Sequence, residues 1–133
     1  PSNCMFVIDS SAVIALVRHE RGWEKVEDAL LDSSGAGSPS VISAVNMTEV
    51  IDKLGNDLPP ALFDQPRPLV EPVEYTPDHA RAASALYKQT RKQGLSLGDR
   101  ACLALAKSLA LPALTADSAW SDVDAEIEVQ LIR

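Results

Sequence analysis

The chain has little of what several functional classes need. Its 133 residues include two cysteines, Cys4 and Cys102, too few for a disulfide framework or a zinc site. His19 and His79 have no second His or Cys at ligand spacing, so both read as surface side chains. No apolar run approaches 18 residues, which excludes a membrane-spanning helix. Pro1-Ser-Asn-Cys-Met5 lacks a basic stretch followed by an apolar core, so no secretory signal is visible. Met5 is the expected natural start, with residues 1–4 an addition ahead of it. Internal repeats, low-complexity tracts and linkers are absent, and one domain over residues 1–133 is expected. A reducing, cytoplasmic compartment fits this cysteine usage, with Cys102 a small core residue inside an apolar helix.

Positive charge is also scarce. Twelve Lys and Arg face 19 Asp and Glu, for a net charge of −7 and a pI near 4.7. That is the wrong sign for a protein gripping nucleic acid through phosphate contacts alone. It suits carboxylates clustered around a cation, or a basic partner covering an acidic face. The apolar and charged shares, 46% and 23%, are ordinary for a globular protein.

What is present is organised around residues 96–117. Leu97 to Ala110 is almost wholly good helix former, with Ser96 as predicted N-cap and Asp99 in the first turn, where a carboxylate suits the positive helix end. Pro112 stops the helix. Ala113-Leu114 then reads as a buried parallel strand delivering Asp117 at its carboxyl end. The amino-terminal Met5-Phe-Val-Ile8 repeats that geometry: a buried strand, Asp9 just past its end, and a short helix capped by Ser10 or Ser11.

Between these lie an amphipathic helix from Trp23 to Leu31 and a Gly/Ser-rich loop at 33–38. A short strand at 40–42 leads through the cap Ser43 into a helix to Leu54, with Met47, Val50, Ile51 and Leu54 on its buried face. Glu49 lies off that stripe, toward solvent or a cleft. Residues 56–72 hold five of the nine prolines and read as irregular surface chain, with a short strand near 69–73. Thr76 caps a helix from Pro77 to about Gln93, ended by Gly94. After Asp117 come a turn or short helix through Asp124, with Trp120 a core anchor whose N–H is paired, and a final strand at 127–132. This order predicts one α/β domain: a central, mostly parallel sheet sandwiched by helices.

Four carboxylates stand out: Asp9, Glu49, Asp99 and Asp117. Each is placed where it can converge on one sheet edge. Crowding like charges is costly unless a cation is present, and hard oxygen donors without His or thiolate suit Mg²⁺ or Mn²⁺.

In sequence context, Val-Ile-Asp9-Ser-Ser-Ala, Val-Asn-Met-Thr-Glu49-Val, Leu-Gly-Asp99-Arg-Ala-Cys and Leu-Thr-Ala-Asp117-Ser-Ala-Trp resemble the four acidic motifs of the PIN domain. They are most similar to the VapC toxins of bacterial VapBC toxin–antitoxin pairs. The likeness spans Met5 to Arg133; the Pro-rich 56–68 segment is its one departure.

The resemblance implies a PIN-like three-layer sandwich and a metal-dependent endoribonuclease. Such an enzyme is neutralised by a VapB-type antitoxin and usually homodimeric. Water would attack an RNA phosphodiester in line, leaving 5′-phosphate and 3′-hydroxyl ends. Asp9, Asp99 and Asp117 are the implied ligands of Mg²⁺ or Mn²⁺, and Glu49 completes the cage or orients water. Thr115 and Ser10 are candidates for holding these carboxylates in place. RNA-contact candidates are Lys88, Arg91 and Lys92, before Ser96, and Arg100 beside Asp99. An antitoxin arginine inserted among the acids would close the site.

Other classes fit less well. A receiver domain would carry an acidic pair after the first strand, and Asp9 stands alone. A haloacid-dehalogenase-like phosphatase would carry a second Asp at position 11, where Ser11 stands. The remaining alternative is a catalytically idle module whose acidic cleft only docks a basic partner.

Overall fold

Five short strands form the centre of the molecule, and the three innermost are buried along their whole length. The computed structural model describes residues 5–35, 37–64, 66–120, 123–124 and 126–133. The expected added segment 1–4, with Cys4, lies outside them, as do Ser121 and Asp122 of the turn after Asp117. The strands are β1 (Val7–Ile8), β2 (Ser40–Ser43), β3 (Val70–Val73), β4 (Ala113–Thr115) and β5 (Val129–Leu131), ordered β3-β2-β1-β4-β5. Every pair is parallel, so the mostly parallel sheet expected from sequence is wholly so.

Alternation of side chains sorts the core into two layers. On one face Ile8, Ile42 and Leu114 pack against α1 (Ser10–Arg18), α2 (Trp23–Gly35), α3 (Ala44–Leu54) and α4 (Pro60–Phe63). On the other, Val7, Val41 and Ala113 meet α5 (Pro77–Gln89) and α6 (Leu97–Leu109), chiefly through Leu86, Cys102, Leu103, Leu105 and Ala106. This division follows from right-handed crossovers. The chain moves outward through β1, β2 and β3, then reverses to lay β4 on the other side of β1. At that reversal the carboxyl ends of β1 and β4 border a crevice, the usual ligand position in open α/β sheets.

Several local expectations are corrected. Asp9 itself, rather than Ser10 or Ser11, is the N-cap of α1, its side chain accepting from Ser11 N. Helix α2 runs through Gly35 instead of stopping at Leu31. The described residues between 55 and 72 are more ordered than their prolines suggest. They hold a 3₁₀ turn, Gly55–Asp57, and α4, in which Leu62 and Phe63 reach the core and Pro60 sits at a first-turn position needing no N–H donor. Ile51, expected on the buried face of α3, is 41% exposed. Helix α5 ends at Gln89, where Thr90 Oγ1 donates to Leu86 O, 2.6 Å. His79 is buried rather than at the surface, because its Nδ1 accepts from Thr76 N in a capping box. Trp120 is fully buried as a core anchor, but its Nε1 finds no acceptor among the described residues.

Glycine is required at one chain crossing. Gly22, at φ 94°, lies under the C-terminal segment, and a Cβ there would fall 2.9 Å from the Ile132 carbonyl carbon. Among the described residues no helix is long and apolar enough to cross a membrane.

Candidate functional site

The crevice between β1 and β4 is built around a buried carboxylate. Asp9 follows β1 directly and is 3% exposed. Its Oδ2 accepts from Ser11 Oγ at 2.5 Å and from Thr115 Oγ1, at the end of β4, at 3.0 Å. Ser11 Oγ also accepts from Ala116 N, and Thr115 Oγ1 accepts from Asp117 N, both at 3.0 Å. Two hydroxyls thus join the ends of the adjacent strands. Asp9 Oδ1 is buried with no hydrogen-bond partner among the described residues. An unpaired buried carboxylate oxygen costs free energy, so this atom marks the place where the fold is electrostatically incomplete.

Helices α3 and α6 bring two more acids to the same crevice. Asn46, fully buried on α3, donates from Nδ2 to Glu49 Oε1 at 3.0 Å and to Gly98 O at 2.9 Å, tying α3 to the start of α6. Ser10 Oγ donates to the same Glu49 oxygen at 2.9 Å. Asp99 lies in the first turn of α6. There Ser96 N donates to its Oδ2 at 2.9 Å and its own N donates to Ser96 Oγ at 3.1 Å. The capping box fixes the carboxylate where the helix dipole favours it. Asp117, just past β4, accepts at Oδ1 from Ala119 N, 2.9 Å.

Electrostatics couple these groups. Burial first, then the charges of Asp99 and Glu49, push the Asp9 carboxyl up to about 6, against the opposing hydrogen bonds of Ser11 and Thr115. Burial likewise raises Asp99, with Asp117 and Glu49 adding to it. The Cys102 thiol, one helical turn below Asp99, is pushed well up by burial and by the charges of Asp9, Asp99 and Glu49. The structure therefore brings Asp9, Glu49, Asp99 and Asp117 together, with Thr115 and Ser10 beside them. Each of the four carboxylates has one oxygen held by a protein donor, while the other has none among the described residues. Among the described residues, no three His, Cys, Asp or Glu side chains stand as a ready-made metal cage.

The cationic candidates are distributed differently. Arg100 donates from Nη1 to Ala83 O on α5 at 3.0 Å, and its Cζ lies 5.0 Å from the Tyr87 ring centre. Its guanidinium is thereby engaged in the α5–α6 seam. Lys88, Arg91 and Lys92 are exposed at the end of α5 and in the turn beyond it.

Two residues escaped the sequence reading. Ser11 is expected from sequence only as a cap, yet its hydroxyl bridges Asp9 to β4. Asn46 stands three residues before Glu49, the helical spacing at which side chains meet, and that spacing was the available signal.

Comparison with known proteins gives a consistent picture. A model of the PIN domain matches residues 6–126. No curated protein matches the sequence. Among solved structures, a toxin–antitoxin complex from Klebsiella pneumoniae is similar, with a TM-score of 0.70 and 18% identity over 96% of this chain and 98% of that one. A DNA-bound VapBC from Salmonella typhimurium gives 0.67 and 13% identity, over 97% and 98% of the two chains. VapBC2 from Rickettsia felis, bound to a promoter DNA fragment, gives 0.64 and 11%, over 95% and 97%. At such identities the structural likeness speaks to fold.

Proposed function

The chain belongs to the PIN domain family, and from that premise we propose that it is a single-domain, VapC-type toxin: a Mg²⁺-dependent endoribonuclease held in check by a VapB-type antitoxin. The observation that carries this reading is the convergence of four carboxylates at the β1–β4 crevice, each with an oxygen that meets no donor among the described residues.

PIN domains generally use divalent metals, and the donor set here fits one. Asp9 Oδ1, buried and unpartnered, is the kind of atom a hard cation satisfies. Mg²⁺ keeps several waters and needs only one or two carboxylates directly, so a closed three-ligand cage is not required. Asp9, Asp99 and Asp117 would hold it, directly or through water, and Glu49 would complete the shell. A divalent cation held there would lower the pKa of a water toward neutrality and screen charge building on the phosphate.

The chain's own residues do the positioning. Ser11 and Thr115 hold Asp9 Oδ2 so that Oδ1 stays free. Ser10 and Asn46 hold Glu49 Oε1, leaving Oε2 to orient a water. The acidic crevice repels bare phosphate, so RNA approach depends on neutralisation there and on cations nearby. A basic partner segment would be attracted to the same charge. The similarity of toxin–antitoxin complexes to this fold supports a VapB-type protein in that role.

The test is RNA cleavage with Mg²⁺. The parent chain should release fragments with 5′-phosphate ends, and EDTA or Asp9→Asn should abolish cutting while antitoxin binding persists. A folded Asp9→Asn chain that cuts at the parent rate would refute the proposal. An inert parent chain that still binds the antitoxin would favour the docking alternative.

A further inference from the structure

A second concentration of recognition side chains adjoins the carboxylates. Tyr87, Thr90, Arg91, Gly94 and Leu95 line an open cavity of about 550 Å³ where α5 gives way to the turn leading into α6. Thr90 and Leu95 are buried, so packed core backs the cavity, whereas Tyr87 is 51% exposed. Two guanidinium groups approach the Tyr87 ring, Arg91 at 5.6 Å and Arg100 at 5.0 Å from its centre. Cations over an aromatic face restrain its orientation, and the Arg100 bond to Ala83 O anchors one of them.

Charge makes the cavity distinctive. Four of the chain's 12 Lys and Arg fall within residues 88–100: Lys88, Arg91, Lys92 and Arg100. Ion pairs among the described residues join Arg81 to Asp78, and Lys107 to Asp124 and Glu126. These four cations therefore have no carboxylate partner among those residues, in a chain whose net charge is −7. The cavity also shares a segment with the acidic crevice. Leu95 precedes Ser96, whose N binds Asp99 Oδ2, and Arg100 follows Asp99.

We propose that this cavity receives an unpaired base of the RNA strand, which stacks on Tyr87 in place of the exposed Arg91 guanidinium, with its flanking phosphates met by the displaced Arg91 and by Lys88 and Lys92. The inference rests on the nuclease reading, and it adds to it a base-recognition subsite beside the carboxylates. A base offers its face to an aromatic side chain only when it is out of a duplex. The pairing of an exposed ring with unneutralised cations suits a group that is flat and carries phosphate.

The experiment uses the uncleaving Asp9→Asn chain and a fluorescein-labelled 12-nucleotide single-stranded RNA, read by fluorescence anisotropy beside a matched duplex. The unmutated chain in EDTA serves equally if Asp9→Asn does not fold. The single strand should bind more tightly than the duplex. Adding Tyr87→Ala should weaken single-strand binding about tenfold, within the range expected for losing one stacked base. Tyr87→Phe should restore it, and duplex affinity should not change. A 2-aminopurine in the strand should be quenched by the parent chain and not by Tyr87→Ala.

Three results would overturn the proposal: no single-strand binding by the parent, less than a twofold loss in Tyr87→Ala, or retained RNA affinity with lost antitoxin binding. The last would give the cavity to the protein partner. Cleavage is scored separately. Tyr87-dependent stacking without any cutting would sink the nuclease reading and keep the base site. Metal-dependent cutting with Tyr87-independent affinity would remove the base site alone.

Discussion

Gly98 lies directly against the Glu49 carboxylate: a Cβ at position 98 would fall 2.6 Å from Glu49 Cδ and Oε1, and closer still to Oε2. Glycine therefore stands in the first turn of α6 because an acid from another helix occupies the space of its side chain. The obstacle is the end of a flexible, exposed side chain, so the fold can yield where the site cannot.

Gly98→Ala is accordingly expected to cost no more than about 2 kcal/mol of stability while damaging activity. Alanine gains up to ~1 kcal/mol over glycine in a helix. Against that, the displaced Glu49 loses its bonds from Ser10 and Asn46, each contributing about 0.5–1.5 kcal/mol. RNA cleavage should fall about tenfold or more, the scale of a mispositioned catalytic group. Gly22→Ala is the contrast, since its obstacle is the Ile132 backbone and its φ is 94°. There the urea midpoint should drop clearly. Equal midpoint losses for the two variants would contradict this account.

The second expectation concerns pH. The Asp9 carboxyl rises from 3.8 to about 6 on folding, so its neutral form is the one the metal-free fold favours. Its contribution to stability is complete below about 3.8 and is lost as pH rises through about 6. At ~1.4 kcal/mol per pH unit the loss amounts to roughly 3 kcal/mol. Asp99, raised in the same direction, adds to it. In EDTA, the chain should melt higher at pH 5 than at pH 7.5, and Asp9→Asn should flatten the difference. Because a cation binds the ionised carboxylate, Mg²⁺ should raise the melting temperature far more at pH 7.5 than at pH 5. A metal effect independent of pH would argue against binding at Asp9.

Much of this was legible in the sequence, and the reason is local. Strands β1 and β4 are short apolar runs each leading to an acid, and Ser96 with Asp99 is a capping box readable from spacing alone. What escaped depends on contacts between segments distant in the chain. Ser11 and Thr115 meet across 104 positions, and Asn46 reaches the Gly98 carbonyl across 52. Neither pairing leaves a trace in periodicity. His79 and α4 depart from the sequence expectation for a related reason. A polar ring that satisfies a helix N-terminus, and a proline at the first position of a helix, both look like surface features until the partner is known.

Asn46 gives a third expectation, because one of its donated bonds links α3 to α6 and the other holds Glu49 within α3. Asn46→Ala removes both but also an Oδ1 that is buried without a partner among the described residues, so the cost should be about 1–2 kcal/mol. Asn46→Asp keeps the shape, loses the donor and adds a buried charge beside Glu49. It should be less stable than Asn46→Ala at pH 7.5, with the gap narrowing at pH 5 as the new carboxyl protonates. Urea unfolding at both pH values checks the order. Asn46→Asp matching the parent at pH 7.5 would show that the donor is dispensable.

The adjacent serines of α1 provide the sharpest comparison, since their hydroxyls serve different acids. Ser10 Oγ reaches the exposed Glu49, whereas Ser11 Oγ donates to buried Asp9 and accepts from Ala116 N, joining β1 to β4. Ser10→Ala should therefore cost under about 1 kcal/mol, as losing an exposed hydrogen bond does. Ser11→Ala leaves the Ala116 N–H without its acceptor and takes away the hydrogen bond that does most to hold the Asp9 carboxyl down. It should cost about 1–3 kcal/mol at neutral pH. The pH at which stability falls off should also move above that of the parent, because the ionised form of Asp9 loses support. Melting temperature measured against pH for both variants in EDTA reads the two effects together. If Ser11→Ala tracks Ser10→Ala in size and pH dependence, the hydroxyl bridge between the strand ends contributes nothing to the site.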